Sequence, residues 1–128
     1  MNRYTKGARG ERELIGILKE NRYSVMRSAG SGVNSISPDV IAFRDGKGFA
    51  FECKAWNTGS VSIKKEKIDL LRFWEANTGM TTLIAWRIPG GNWLFIKPSE
   101  MKAALTNYRI SMKEASSINR GILFFTQG

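Results

Sequence analysis

Asp39-Val40-Ile41-Ala42-Phe43, then Arg44-Asp45-Gly46-Lys47, then Gly48-Phe49-Ala50-Phe51-Glu52-Cys53-Lys54-Ala55 is the stretch whose reading decides the fold. Two apolar runs of strand length flank a tetrapeptide centred on Asp-Gly, a pair that accepts the left-handed backbone of a tight turn, and this predicts a β-hairpin. Asp39 then opens one strand while Glu52 and Lys54 lie on its neighbour. Because strand side chains alternate with a period of two, Glu52 and Lys54 project from the same face.

Working outward, Gly7 to Arg22 places Leu14, Ile15, Ile17 and Leu18 at near-helical spacing with charge on the other side. This predicts an amphipathic helix, loosely capped by Thr5 or Gly7. Tyr23 to Arg27 alternates like a short strand, and the Gly/Ser-rich stretch from Ser28 to Pro38 reads as a loop. Downstream, a second helix is expected from about Lys64 to Asn77, with Ile68, Leu70, Leu71, Phe73 and Trp74 as its apolar face and Gly79 as its stop. Thr81 to Arg87 and Asn92 to Lys97 read as strands around the turn Ile88-Pro89-Gly90-Gly91. A short helix is expected from Pro98 to about Thr106, and a strand within Gly121 to Thr126. The sum is an α/β protein with a central mixed sheet flanked by helices, in a single domain over residues 1–128.

Composition narrows the chemistry. The chain of 128 residues has 20 Lys and Arg, 11 Asp and Glu, one cysteine and no histidine, for a formal charge of +9. Without histidine there is no Ser-His-Asp or Cys-His catalysis and no imidazole-ligated zinc; a single cysteine excludes zinc fingers and intrachain disulfides. Any metal must sit on oxygen ligands, which suits hard ions such as Mg²⁺ or Mn²⁺. The positive charge favours a polyanionic partner, whose condensed counterions are released when Lys and Arg contact its phosphates. No apolar run is long enough to span a membrane and no signal-like segment opens the chain, so an intracellular, cytoplasmic protein without a membrane partner is expected.

Asp39, Glu52 and Lys54 form the pattern with the clearest chemical use. A lone acid or Glu-x-Lys on a hairpin is ordinarily solvated or structural. Here the charges interrupt the run from Phe49 to Trp56, and unpaired charge beside so much aromatic surface is costly. Two carboxylates converging with a lysine can hold Mg²⁺, activate a water and neutralise charge that builds on phosphorus.

Pro38-Asp39, twelve residues, then Glu52-Cys53-Lys54 is similar to the motif of the PD-(D/E)xK nucleases. More of the chain resembles one branch of them. Lys6-Gly7-Ala8-Arg9-Gly10-Glu11-Arg12-Glu13-Leu14, Val25 to Gly32, Pro38 to Ala42 and Phe51 to Lys54 look, in order and spacing, like the archaeal-type Holliday junction resolvases. The resemblance covers roughly residues 6–100 and nothing beyond Tyr108. It implies a restriction-endonuclease-like core and Mg²⁺-dependent cleavage of four-way DNA junctions by a homodimer, with Mn²⁺ able to substitute. It also implies paired, symmetric nicks. Residue by residue, it assigns Glu11, Asp39 and Glu52 to the metal, Lys54 to catalysis, Ser31 to a catalytic contribution from the loop, and Lys6, Arg9, Arg12 and Arg27 to the DNA backbone. Cys53 replaces a more usual apolar residue and is expected to face the core, away from the site.

Other features stay two-sided. Glu11 suits the first turns of a helix on dipole grounds alone, and Glu13 points about 200° away from it on a helical wheel, so at most one faces the site. Gly30-Ser31-Gly32 suits a lid or a DNA-contacting loop. Lys64, Lys65 and Lys67 can contact a backbone or be a solvated helical turn, with Lys64 and Lys65 carried as candidate DNA ligands. Trp56, Phe73 and Trp74 suit the core, with part of that surface available to a dimer. Two other functions remain: a related nuclease with another DNA substrate (restriction-like, repair, or flap and single-strand processing), and a non-catalytic DNA-binding module. For a protein of viral source, the compartment would be the host cytoplasm.

Overall fold

A computed structural model describes residues 3–28, 36–55 and 59–126. Five strands form the central sheet: β1 (Ser24–Arg27), β2 (Val40–Arg44), β3 (Lys47–Ala55), β5 (Thr81–Ile88) and β6 (Asn92–Ile96), in the order β1-β2-β3-β5-β6. Only β3 and β5 run parallel; the other neighbours are antiparallel. The β2–β3 hairpin closes as the sequence predicts, with Arg44 opposite Lys47. Asp45 (φ 51°) and Gly46 (φ 77°) both take the left-handed backbone, which matches the turn to the twist of its strands.

The parallel β3–β5 pair requires a crossover, supplied by β4 (Ser60–Lys64) and α2 (Lys65–Thr78). Helix α2 ends at Gly79, whose φ of 74° lets its N–H reach back to the Glu75 carbonyl. A second, three-stranded sheet pairs β4 with β8 (Asn107–Ser111) and β8 with β7 (Lys102–Ala103).

Each face of the central sheet is buried. One carries α1 (Arg3–Glu20), through Leu14 and Leu18, and is closed by Phe51, Leu83, Phe95 and Phe125. The other carries α2 and the small sheet, through Ile63, Ile68, Leu71, Ile84, Trp86 and Ile110, with Ala115 of α3 (Met112–Ile118) at its margin. No described helix is long and apolar enough to cross a membrane.

Several expectations need correction. Helix α1 begins at Arg3, so Thr5 and Gly7 lie inside it rather than capping it; apolar periodicity starts only at Leu14 and cannot mark the start of the turns before it. The helix expected from Pro98 to Thr106 is a 3-10 turn, Pro98–Glu100, followed by β7, because Lys102 and Ala103 find a partner in β8. The strand expected within Gly121–Thr126 is instead α4 (Leu123–Thr126). A short apolar run fits a buried helical turn as well as a strand, and Phe125 packs edge-on against Phe51 and Phe95. On α2 only Ile68 and Leu71 are buried, whereas Phe73 is 65% exposed. Strands β4, β7 and β8 and helix α3 were not expected. For α3 a signal was present: Ser111 and Glu114 form a reciprocal capping box.

Candidate active site

Asp39 and Glu52 meet where β2 begins and β3 is deepest in the sheet. The Asp39 backbone N–H donates to the Phe51 carbonyl at 2.9 Å, fixing the entry of β2. Its side chain turns toward β3, where Oδ2 accepts from the Cys53 N–H at 2.9 Å. That backbone group lies between Glu52 and Lys54, so the pleat of β3 sets one carboxylate against the two other motif residues. Both acids are buried, as is Glu11 of α1.

The electrostatics show three acids sharing one region. Burial pushes the Glu52 carboxyl up to about 7, with the Asp39 charge adding to the rise and Lys67 and Lys54 opposing it. Glu11 is raised as well, first by burial and then by Asp39, against the pull of Arg27. One oxygen, Glu52 Oε1, is buried without a hydrogen bond, and among the described residues the nearest cation, Lys67 Nζ, stands 3.9 Å away. A buried carboxylate oxygen in that condition is costly unless a cation joins it.

Glu11 is held differently. Arg27 Nε on β1 donates to Glu11 Oε1 at 3.1 Å. With Glu11 held by Arg27 and Asp39 by the β3 backbone, no three acidic or cysteine side chains among the described residues form a ready-made metal cage. The donor set nevertheless fits a hard divalent ion: oxygen ligands only, mutual repulsion between carboxylates, and an orphaned buried oxygen on Glu52. Asp39 and Glu52 are the residues best placed to hold such an ion, with Glu11 close enough to feel the Asp39 charge.

Glu52 and Lys54 face an open cleft of about 830 Å³. Ile36, Ser62, Lys64, Glu66, Lys67 and Asn107 contribute to its walls. Lys67 was legible only as one lysine in a basic turn; the structure brings it to Glu52 because α2 packs over this face of the sheet. Lys64 lies in the cleft wall, and Lys65, half-buried, begins α2 beside it. Arg12 is exposed on α1. Glu13 points away from Glu11, as the helical wheel requires, and pairs with Arg87 on β5. Cys53 packs with the apolar cluster on the opposite face, where burial, and then the Asp39 charge, push its thiol well up. It is therefore a core residue and no nucleophile. Ser31 and Trp56 lie outside the described residues, as do the side chains of Lys6 and Arg9.

Known proteins share this architecture. The family model of the archaeal Holliday junction resolvase (Hjc) matches residues 2–124. A crossover junction endodeoxyribonuclease Hjc of Methanocaldococcus jannaschii is 36% identical over 110 residues, spanning 85% of this chain and 78% of that protein. The solved structure of Hjc from Archaeoglobus fulgidus superposes with a TM-score of 0.78 at 22% identity, covering 91% of this chain and 89% of that one. A bacterial homing endonuclease superposes with a TM-score of 0.55 at 10% identity, over 86% of this chain and 75% of its own, a likeness of fold alone. The match extends past Tyr108, beyond the motifs that carry the resemblance, into the segment before the fully buried Phe125. With a model match over nearly its whole length, a mixed sheet with the acids at the β2–β3 pair, and a relative at this level of identity, the chain belongs to the archaeal Holliday junction resolvase family.

Proposed function

We propose that the protein is a divalent-metal-dependent endonuclease that hydrolyses phosphodiesters in four-way DNA junctions, working inside the cell as a homodimer on paired, symmetric cuts. The observation that carries this reading is the buried Asp39–Glu52 pair with a carboxylate oxygen that no hydrogen bond satisfies and only the Lys67 ammonium approaches, set in a cleft walled by lysines.

In this reading Asp39 and Glu52 hold the metal, Mg²⁺ or Mn²⁺, with Glu11 as the third acid. Bound there, such an ion supplies charge neutralisation at the phosphate and lowers the pKa of water. The chain's own groups supply the rest. Lys54, on the same strand face as Glu52, donates to the scissile phosphate and stabilises the charge that builds on its oxygens. Lys67 partly compensates Glu52 in the free protein and, with an ion held by the acids, would be available to phosphate. The Cys53 N–H keeps the Asp39 carboxylate aimed into the site at no entropic cost during turnover. Arg27 orients Glu11, and with Lys6, Arg9, Arg12, Lys64 and Lys65 it contributes backbone contacts that sense shape rather than sequence. Ser31 is assigned a supporting catalytic role.

A homodimer is supported by the apolar groups that the fold leaves outside: Met26 on β1, Phe43 on β2 and Phe73 on α2. Two sites related by a two-fold axis are what symmetric cutting of a four-way junction needs.

The test is incubation of the protein with a labelled, immobile four-way junction, with Mg²⁺ and with EDTA, beside linear duplex of the same sequences. Metal-dependent, paired, ligatable nicks confined to the junction are expected. Cleavage of linear DNA at the same rate would replace the junction reading by another nuclease specificity, and binding without cleavage would replace it by a DNA-binding module.

A further inference from the structure

We propose that the outer face of the β4–β8–β7 sheet is a phosphate-gripping surface that leads a duplex arm of the substrate away from the catalytic cleft, with Arg109 at its centre. This rests on the nuclease reading above and extends its DNA-binding surface from Lys64 to β7 and β8, which carried no assignment.

Strand alternation defines the face. Val61, Ile63 and Ile110 are buried in the core, and Tyr108 packs against the same cluster. Their neighbours Ser62, Lys64 and Arg109 are exposed, with Asn107 half-buried beside them. The register sets Lys64 opposite Asn107, Ser62 opposite Arg109, and Arg109 opposite Lys102. The outer face is therefore a compact array of cationic, hydroxyl and amide donors. Ser62, Lys64 and Asn107 also wall the cleft that contains Glu52 and Lys54, so this array begins at the catalytic residues and runs outward from them.

Its charges are under-compensated. Among the described residues neither Lys64 nor Arg109 has an ion-pair partner, while Lys102 pairs with Glu114 at 2.8 Å and Glu66 is the acid at the cleft wall. Lys102 stands directly opposite Arg109 on the neighbouring strand, but its charge is met by Glu114, which leaves Arg109 and Lys64 as the unmatched cations among the described residues of this face. Lysines on an edge strand also deter unwanted strand pairing, which accounts for Lys102 on β7. That explanation does not reach Arg109, which lies on the central strand of its sheet. A polyanion accounts for Arg109 and Lys64 together: both replace condensed counterions on its phosphates, and Ser62 and Asn107 donate to phosphate oxygens.

The experiment measures affinity for an immobile four-way junction in EDTA by fluorescence anisotropy, from low to high NaCl, for the wild type, Arg109→Ala, Arg109→Glu and Lys19→Glu. Lys19 is exposed in the last turn of α1, across the central sheet, and serves as the charge control. Circular-dichroism melts verify that each variant is folded, and Arg109→Ala keeps the test valid if the reversal of charge unfolds the small sheet. Arg109→Ala is expected to weaken binding about 3- to 10-fold and to lower the log–log salt slope by about one, with a larger loss for Arg109→Glu and neither effect for Lys19→Glu. If the wild type binds and cuts the junction while both Arg109 variants keep its affinity and slope, this face serves another partner or none; the inference falls and the nuclease reading stands. An equal loss in Lys19→Glu would mean that net charge alone matters, which also overturns it. A wild type that neither binds nor cuts the junction overturns both.

Discussion

Replacing Glu52 by Gln should remove a loss of stability that the metal-free wild type suffers as pH rises, while abolishing its activity. The Glu52 carboxyl is raised from 4.5 to about 7, chiefly by burial and then by the Asp39 charge. A group raised in the folded state contributes stability that is whole below the unfolded value and is lost as pH climbs through the folded one. The loss thus falls between about pH 4.5 and 7 and is complete above pH 8. From 4.5 to about 7 the cost of ionisation is roughly 3 kcal/mol, and with only 5% of the residue exposed there is little solvent screening to reduce it. Glutamine carries no charge at any pH, so it escapes this loss. Its buried amide has a cost of its own, but a constant one, which cancels when two pH values are compared. In EDTA, the stability difference between Glu52→Gln and wild type should therefore move by roughly 3 kcal/mol in favour of the variant between pH 5 and pH 8.5. For a domain of this size that is a relative shift in Tm of about 10 °C. Differential scanning fluorimetry or urea titration at the two pH values measures it. Adding Mg²⁺ at pH 8.5 should then raise the wild-type Tm by more than the variant's, because the variant has lost one of the three acids assigned to the ion. A stability difference that is the same at both pH values would refute the claim that burial and Asp39 outweigh the lysines at Glu52, and with it the argument for a further cation there.

Asp39→Asn should reduce junction cleavage by at least about 100-fold, in line with the loss of one electrostatic element of a catalytic site, while binding in EDTA stays within a few-fold of wild type; gel-shift and single-turnover assays on the same preparation test both halves. Phe125→Ala should destabilise the fold by about 3–5 kcal/mol, because the ring is fully buried between Phe51 and Phe95; a chemical denaturation midpoint close to wild type would show that α4 is dispensable. Phe73→Glu should shift the protein toward monomer in sedimentation velocity and turn paired nicks into single ones, since this 65% exposed ring is offered as part of the dimer surface; an unchanged dimer would place the interface elsewhere.

The hairpin and the residues on it were legible because their signals are local. Asp-Gly between two apolar runs dictates a turn, and the period of a strand puts Glu52 and Lys54 on one face whatever surrounds them. Helix α2 was legible for the same reason through its glycine stop, and so was the divergence of Glu11 from Glu13. The small sheet was not. Strands β7 and β8 are short, and β7 exists only because Lys102 and Ala103 pair with a strand that is itself paired to β4, more than forty residues earlier. The apolar run near the C-terminus was visible, but whether it became strand or helix depended on the cavity left between Phe51 and Phe95.

The chemistry divides in the same way. Sequence alone determined the kinds of atoms available: oxygen ligands and lysine nitrogens, no imidazole and no thiol pair, under an excess of positive charge. It also determined that Asp39, Glu52 and Lys54 belong to one hairpin, because covalent geometry and strand periodicity act over a few residues. Only the tertiary structure decided that Glu52 is buried deeply enough to titrate near neutrality, that Arg27 holds Glu11, and that Lys67 and the small sheet wall the cleft. Burial, charge proximity and ion pairing depend on distances between segments remote in the chain, and those distances exist only once the sheet has closed and both its faces are packed.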